Sequence, residues 1–307
     1  MREWRLHLGD PLSLTLVSDA RLGPSDYFDD QIWELKIGPG DPPALSLHTT
    51  YGLRARTMRI FPRFSEGESI KSDPAEFTSE VELRQIFPNF IEMSFAPFPD
   101  IDILAEVWVP HSHAVAGRIS IENNSLTARK LRVEMVAQLA PNEGQRMAPF
   151  EMSAATLLAG YSGGLAPVLF MTGGAKAGPG PHPSLALMMQ LEPGVQRQVT
   201  WVQAALNERE SSFALARDLA AQNWEAAKAR IEMFNSGHVE IYTGESSWDT
   251  AFMLAQKQAA SLLVGPTPHL PETSFVLTRQ PDQGYSRRGD GSDYNHLWNG
   301  QPTLEAY

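Results

Sequence analysis

The stretch Gly284–Gln301, GYSRRGDGSDYNHLWNGQ, holds four glycines, two arginines, two aspartates, three amides, a histidine, Tyr285, Tyr294 and Trp298. Those side chains suit carbohydrate. Trp and Tyr rings stack on the C–H faces of a sugar, while Asp, Asn, Gln and Arg hydrogen-bond its hydroxyls. Glycines let the backbone pass close to a ligand, and a loop ahead of a helix is where binding residues tend to sit. The candidate substrate-binding residues are therefore Tyr285, Arg288, Asp290, Asp293, Trp298, Asn299 and Gln301. The alternative is an ordinary surface loop anchored by a buried Trp298.

Other chemistries fit less well. EF-hand calcium loops space their acids by two with glycine at the sixth position. Asp290 and Asp293 are three apart, and Gly291 follows Asp290 directly. As a pair of glycosidase carboxylates the same two residues remain an option, although such acids usually come from separate segments. Arg288-Gly289-Asp290 spells an adhesion tripeptide by chance. His111 and His113 would share one face of a strand, as metal ligands can, but no third ligand lies near with helpful spacing. Arg54, Arg56, Arg59 and Arg63 read as cross-sheet partners of Asp and Glu in an acidic chain, not as an anion site. The stretch TGGAKAGPGP lacks the order of a phosphate loop, and no G-x-S-x-G elbow is present. No cofactor and no metal are expected.

The elements that must position the candidates come in two kinds. From residue 1 to about 206 the side chains alternate with period two, as in LSLTLVSDARLG, QIWELKI and IDILAEVWVP, punctuated by Pro and Asn. AVAGRISIENNSLTARKLRVEMVAQLAP reads as a hairpin turning at Asn123-Asn124-Ser125, and SLALMMQLEPG with VQRQVTWVQAAL as a last one. A long antiparallel sandwich is expected over 1–206. The period then changes. Phe213, Ala216, Ala220, Trp224, Ala227, Ile231 and Phe234 form the apolar stripe of one long linker helix within 207–240, capped by Ser211 or Ser212. A second helix has Ser246 or Ser247 at its start, Asp249 in its first turn, and Trp248, Ala251, Phe252, Ala255, Ala259, Leu262 and Leu263 on its apolar face. TLEAY reads as the start of another, so 241–307 is the beginning of an α-domain.

Composition narrows the partners. A formal charge of -11 argues against nucleic acid and anionic membrane, which reward a basic surface. The apolar fraction of 42% and charged fraction of 20% are those of a globular protein. With no Cys there is no disulfide and no thiolate chemistry. The N-terminal stretch has no secretion-type apolar region, and no stretch approaches the roughly 20 apolar residues of a membrane span, so a cytoplasmic protein is expected. Oligomeric state is left open.

The order of these pieces is similar to that of the six-hairpin glycosidases, a superfamily with glucoamylase-like, glucosidase-I-like and glycogen-debranching-like members. RISIENNSLTARKLRVEMVAQLAP resembles the end of their N-terminal supersandwich. ARDLAAQNWEAAKARIEMF resembles the linker, WDTAFMLAQKQAASLL the first helix of their (α/α)6 barrel, and SFVLTRQPDQGYSRRGDGSDYNHLWNGQPTLEAY the loop entering the second. The resemblance implies a mainly β antiparallel supersandwich, then a linker helix and the first part of an α/α toroid. It implies that the candidate loop lines a sugar pocket whose other walls, with the general acid and base, lie beyond Tyr307. One place departs from the glucoamylase-like pattern. Where those enzymes often carry Trp-x-Arg-Asp, this chain reads Trp298-Asn299-Gly300-Gln301, which puts glucose specificity in question. The expected function is part of a glycoside hydrolase acting on α-glucan or a related oligosaccharide. The alternatives are a disaccharide phosphorylase of the same plan and a carbohydrate-binding module without chemistry.

Overall fold

The computed structural model describes residues 4–6, 14–23, 25–26, 28–38, 40–237, 241–266, 273–276, 279–288, 297–298 and 301–302. Two antiparallel sheets account for most of it. The nine-stranded sheet runs in space through Trp4–Leu6, Val81–Phe87, Phe90–Phe98, Ile101–His111, Ala114–Asn123, Gln196–Leu206, Ala166–Met171, Ala155–Ser162 and Gly144–Met152. The eight-stranded sheet runs through Lys176–Ala177, Ser184–Leu191, Arg129–Pro141, Ala55–Glu66, Leu45–Thr49, Trp33–Ile37 and Leu14–Leu16, with Ser69–Lys71 paired to Ala55–Glu66.

Period-two alternation puts one face of each strand into the space between the sheets. Leu16, Trp33, Met58 and Phe64 from one sheet meet Ile91, Ile103, Ile119 and Trp201 from the other in a single buried core. Gly117 lies opposite Trp201 in register, and a Cβ there would overlap the indole. The small residue makes room for the large one across the ladder.

Two connections differ from the hairpins expected of them. Ala114–Asn123 belongs to the nine-stranded sheet and Arg129–Pro141 to the eight-stranded one, and Gln196–Leu206 and Ser184–Leu191 divide the same way. Residues 124–128 and 192–195 therefore cross side by side between the sheets. The Asn123 amide holds both crossings, donating to Thr127 O at 2.8 Å and to Leu191 O at 2.9 Å. Alternation identifies which face a strand buries but not which neighbour it pairs with, so an arch and a hairpin look alike in sequence.

The stripe from Phe213 to Phe234 is carried by two helices, not one. Helix α1 spans Arg209–Ala220 and helix α2 spans Trp224–Asn235. Asn223 separates them, its side chain accepting from Ala226 N as an N-cap. At α1, Glu208 takes the N-cap position without a side-chain bond, and Ser212 Oγ instead accepts from Leu206 N at 2.9 Å. Both helices cover the outer face of the nine-stranded sheet. Leu219, Trp224 and Ile231 pack with Phe90, Ala116 and Val202, and Phe213 packs with Leu157 and Val168. Burying Phe213 alone is worth about 1.5–3 kcal/mol. Beneath α2, Lys228 reaches Glu106 at 3.0 Å and also pairs with Glu92, while Arg118 reaches the same Glu106 at 2.6 Å.

Helix α3 spans Ser246–Ser261. Asp249 in its first turn accepts from Thr243 N and Oγ1, at 2.6 and 2.7 Å, which ties the chain entering the helix to its first turn. Trp248 and Phe252 are 62% and 38% exposed, whereas Leu263 is half-buried in a short pair with Phe275. No described helix is long and apolar enough to cross a membrane.

Candidate functional site

The segment that leads into the candidate loop is fastened to the end of the sandwich. Asp29 and Tyr285 form an antiparallel bridge, flanked by hydrogen bonds from Asp30 N to Gly284 O and from Ser286 N to Phe28 O. Thr50 Oγ1 donates to Pro281 O at 2.6 Å. Gly284 has φ +98°, and a Cβ on it would overlap the Asp30 carbonyl. Only glycine fits that approach.

A buried guanidinium completes the attachment. Arg279 Nε donates to Asp30 Oδ2 at 2.7 Å, and Nη1 donates to the carbonyls of Ser18 at 3.1 Å, Ser261 at 2.8 Å and Leu263 at 3.2 Å. Ser112 Oγ donates to the other Asp30 oxygen at 2.7 Å. One side chain thus ties the sandwich, the end of α3 and the incoming segment together. A buried ion pair with its remaining valences filled is the arrangement in which burial is tolerable.

Beside this knot lies a second group of charges, more open to water at its carboxylates. Arg54 pairs with Asp29 and stacks its guanidinium over the Tyr285 ring, 4.0 Å from the centroid. His113 Nε2 lies 3.0 Å from Asp26 Oδ2 and 3.7 Å from Asp29 Oδ2, and these three side chains stay partly open to solvent. Burial acts to lower the His113 pKa, but Asp26, Asp29 and Asp30 outweigh it and hold the imidazole above its usual value. Burial likewise acts to raise Asp26, and His113 outweighs it, holding the carboxyl below its usual range. His111 behaves oppositely: burial, reinforced by His113, lowers it to about 4. Its ring Nδ1 accepts from the His113 backbone N–H at 3.2 Å. Among the described residues no group of three or more His, Asp or Glu side chains is gathered to hold a metal.

The backbone that carries Arg54 is strained. Tyr51, Gly52 and Leu53 have φ values of 53°, 64° and 69°, and left-handed non-glycine residues cost about 1–3 kcal/mol each. The surroundings impose it: the buried Tyr51 hydroxyl accepts from Gln203 Nε2 at 2.6 Å, Tyr51 O accepts from Arg54 Nε at 2.9 Å, and Arg54 O accepts from Ser162 Oγ at 2.6 Å. The site therefore offers two reachable carboxylates, a proton-holding imidazole and an aromatic ring braced by Arg54. That is a set for accepting hydroxyl donors and holding a proton.

Of the residues singled out in the sequence, Tyr285 is half-buried in this seam with one ring face taken by Arg54. Arg288 is exposed on the turn that follows. Trp298 and Gln301 are register partners in a pair of two-residue strands, Leu297–Trp298 and Gln301–Pro302. Asp290, Asp293 and Asn299 lie outside the described residues. The arginine row divides: Arg63 pairs with its direct cross-strand neighbour Glu134 and Arg54 with Asp29, whereas Arg59 donates to Pro42 O at 2.7 Å and Arg56 is exposed. Asp26, Asp29, Asp30 and Arg279 escaped sequence reading, because separations from 25 residues for Asp29–Arg54 to 249 for Arg279–Asp30 leave no local pattern.

Two solved structures resemble this fold. A protein described as a kojibiose phosphorylase, from the human microbiome, aligns with 11% identity over 86% of this chain at a TM-score of 0.52. A bacterial glucoamylase complexed with acarbose aligns with 8% identity over 85% at 0.54. The likeness is one of fold. The chain spans 36% of the first protein and 44% of the second. No protein-family profile and no curated protein sequence matches it.

Proposed function

We propose that residues 1–307 supply the sandwich and one wall of the sugar cleft of a glycoside hydrolase acting on α-glucan or a related oligosaccharide. The observation that carries this reading is the fastening of residues 279–286, which lead directly into the aromatic and amide-rich loop, onto a sandwich fold shared with a glucoamylase. In this reading the (α/α)6 barrel and its catalytic acid and base belong to sequence outside 1–307. The acid protonates the leaving oxygen, the base activates water, and the anomeric configuration inverts. Tyr285 or Trp298 stacks on the sugar, and Arg288, Asp290, Asp293, Asn299 and Gln301 bind its hydroxyls.

A phosphorylase of the same plan is the second reading, favoured by the fold shared with the protein described as a kojibiose phosphorylase. There phosphate replaces water as the attacking group. The natural polypeptide containing this chain, incubated with maltose, kojibiose and an aryl α-glucoside, separates the readings. Free sugar released without phosphate supports the hydrolase, whereas a sugar phosphate formed only with phosphate supports the phosphorylase. Binding of acarbose or maltose with no product from any substrate leaves a carbohydrate-binding module and overturns both enzyme readings.

A further inference from the structure

Leu14–Leu16 is the last strand at one end of the eight-stranded sheet, and α3 reaches it through Lys257. Leu254 of α3 rests on the sandwich core, and one turn later Lys257 Nζ donates to Thr15 O at 2.8 Å. A sheet edge presents unpaired backbone groups, and covering it with a helix is a common way to satisfy them. Here the covering group is a lysine amine, buried to 9% exposure.

Among the described residues, the charged groups on the surrounding elements are matched elsewhere. Glu34, opposite Thr15 in register, pairs with Lys36 at 2.8 Å. Asp19 pairs with Arg21 at 2.6 Å, Asp30 with Arg279, and Asp249 accepts from Thr243 at the far end of α3. Thr15 O, a neutral acceptor, is what faces the amine. A buried ammonium without a counter-charge is costly, and the usual outcome is loss of the proton.

We propose that Lys257 makes the seating of α3 on the sheet edge a proton-releasing step, so that rising pH tightens α3 against the sandwich. Burial lowers the Lys257 pKa from 10.5 to about 7. When α3 is lifted off, the amine returns to water and takes up a proton. Between those two values the lifted state binds one proton more than the seated state, so seating strengthens with pH there. Below about 7 both states are protonated and the dependence levels off. Because α3 ends at the carbonyls held by Arg279, the same proton bears on the segment 279–286. The inference does not depend on the ligand of that segment.

Hydrogen exchange of this chain, corrected for the intrinsic pH dependence of exchange, tests it. Protection of α3 amides is expected to rise by up to about tenfold per pH unit between about pH 7 and 9.5, while the central strand Ala114–Asn123 shows no such slope. Lys257→Met, which keeps the length and removes the proton site, is expected to abolish the slope and leave α3 protected at pH 7. A flat wild-type profile overturns the proposal, and so does a slope retained in Lys257→Met. Should Lys257→Met fail to fold, Lys257→Gln takes its place under the same two outcomes.

Discussion

Arg279 and Asp30, 249 residues apart, form an ion pair in which neither side chain has more than 1% of its surface open to solvent. It ties the end of α3 and the segment 279–286 to the sandwich. Removing one partner leaves an uncompensated charge in the interior, so Arg279→Leu is expected to cost about 3–5 kcal/mol in urea denaturation. The double variant Arg279→Leu/Asp30→Leu is expected to lose less than Arg279→Leu alone. A double variant as damaged as the sum of the singles would show that the pair is not coupled.

His113 and Asp26 give stability a pH window. The His113 pKa is raised, so its contribution is complete below the unfolded value near 6.5 and is lost as pH rises through the folded one. The Asp26 pKa is lowered, so its contribution is present above 3.8 and is lost as pH falls through the folded value. In the Lys257→Met background, which removes the opposing rise in stability above about pH 7, melting temperature measured against pH should therefore fall on both sides of a plateau. Asp26→Asn is expected to weaken both limbs, and unchanged limbs would count against the pairing.

Trp248 and Phe252 stand exposed on α3 with ring centroids 6.3 Å apart. Contiguous exposed apolar surface favours association. Sedimentation of residues 1–307 is expected to show concentration-dependent self-association, reduced by Trp248→Glu/Phe252→Glu. A monodisperse wild-type monomer at high concentration is the contrary result.

Within the proposed sugar cleft, Asp290 is the first choice for a direct contact, since Gly289 and Gly291 leave its carboxylate unshielded. Charge-assisted hydrogen bonds are worth about 1.5–3 kcal/mol. Asp290→Ala is then expected to lower kcat/KM of the complete enzyme by about 10–150-fold at unchanged melting temperature. Trp298→Ala measured in the same way separates a stacking wall, which changes kcat/KM, from an anchor, which changes melting temperature. Unaltered kinetics in a folded Asp290→Ala protein would remove this loop from the cleft.

Local patterns in the sequence determined the kinds of element and the place where they change. The alternation ending at Leu206 and the 3.6-residue spacing beginning at Arg209 are set by side-chain geometry within a few residues, and the structure turns from strand to helix between them. The charge balance implied that the arginine row meets acids across the sheet, and Arg63 does, but that its partner is Glu134, 71 residues on, was decided by the strand pairing. The partners of each strand were decided by tertiary structure. The crossings at 124–128 and 192–195 carry the same alternation as hairpins, and only packing of two inner faces sends their strands to opposite sheets. The break at Asn223 was decided partly by the cap it forms and partly by the sheet surface that both helices must follow. The seam depended most on the fold. Asp26, Asp29, Arg54, His113, Arg279 and Tyr285 come from distant stretches, and their charges and pKa values acquire meaning only when burial brings them within hydrogen-bond reach.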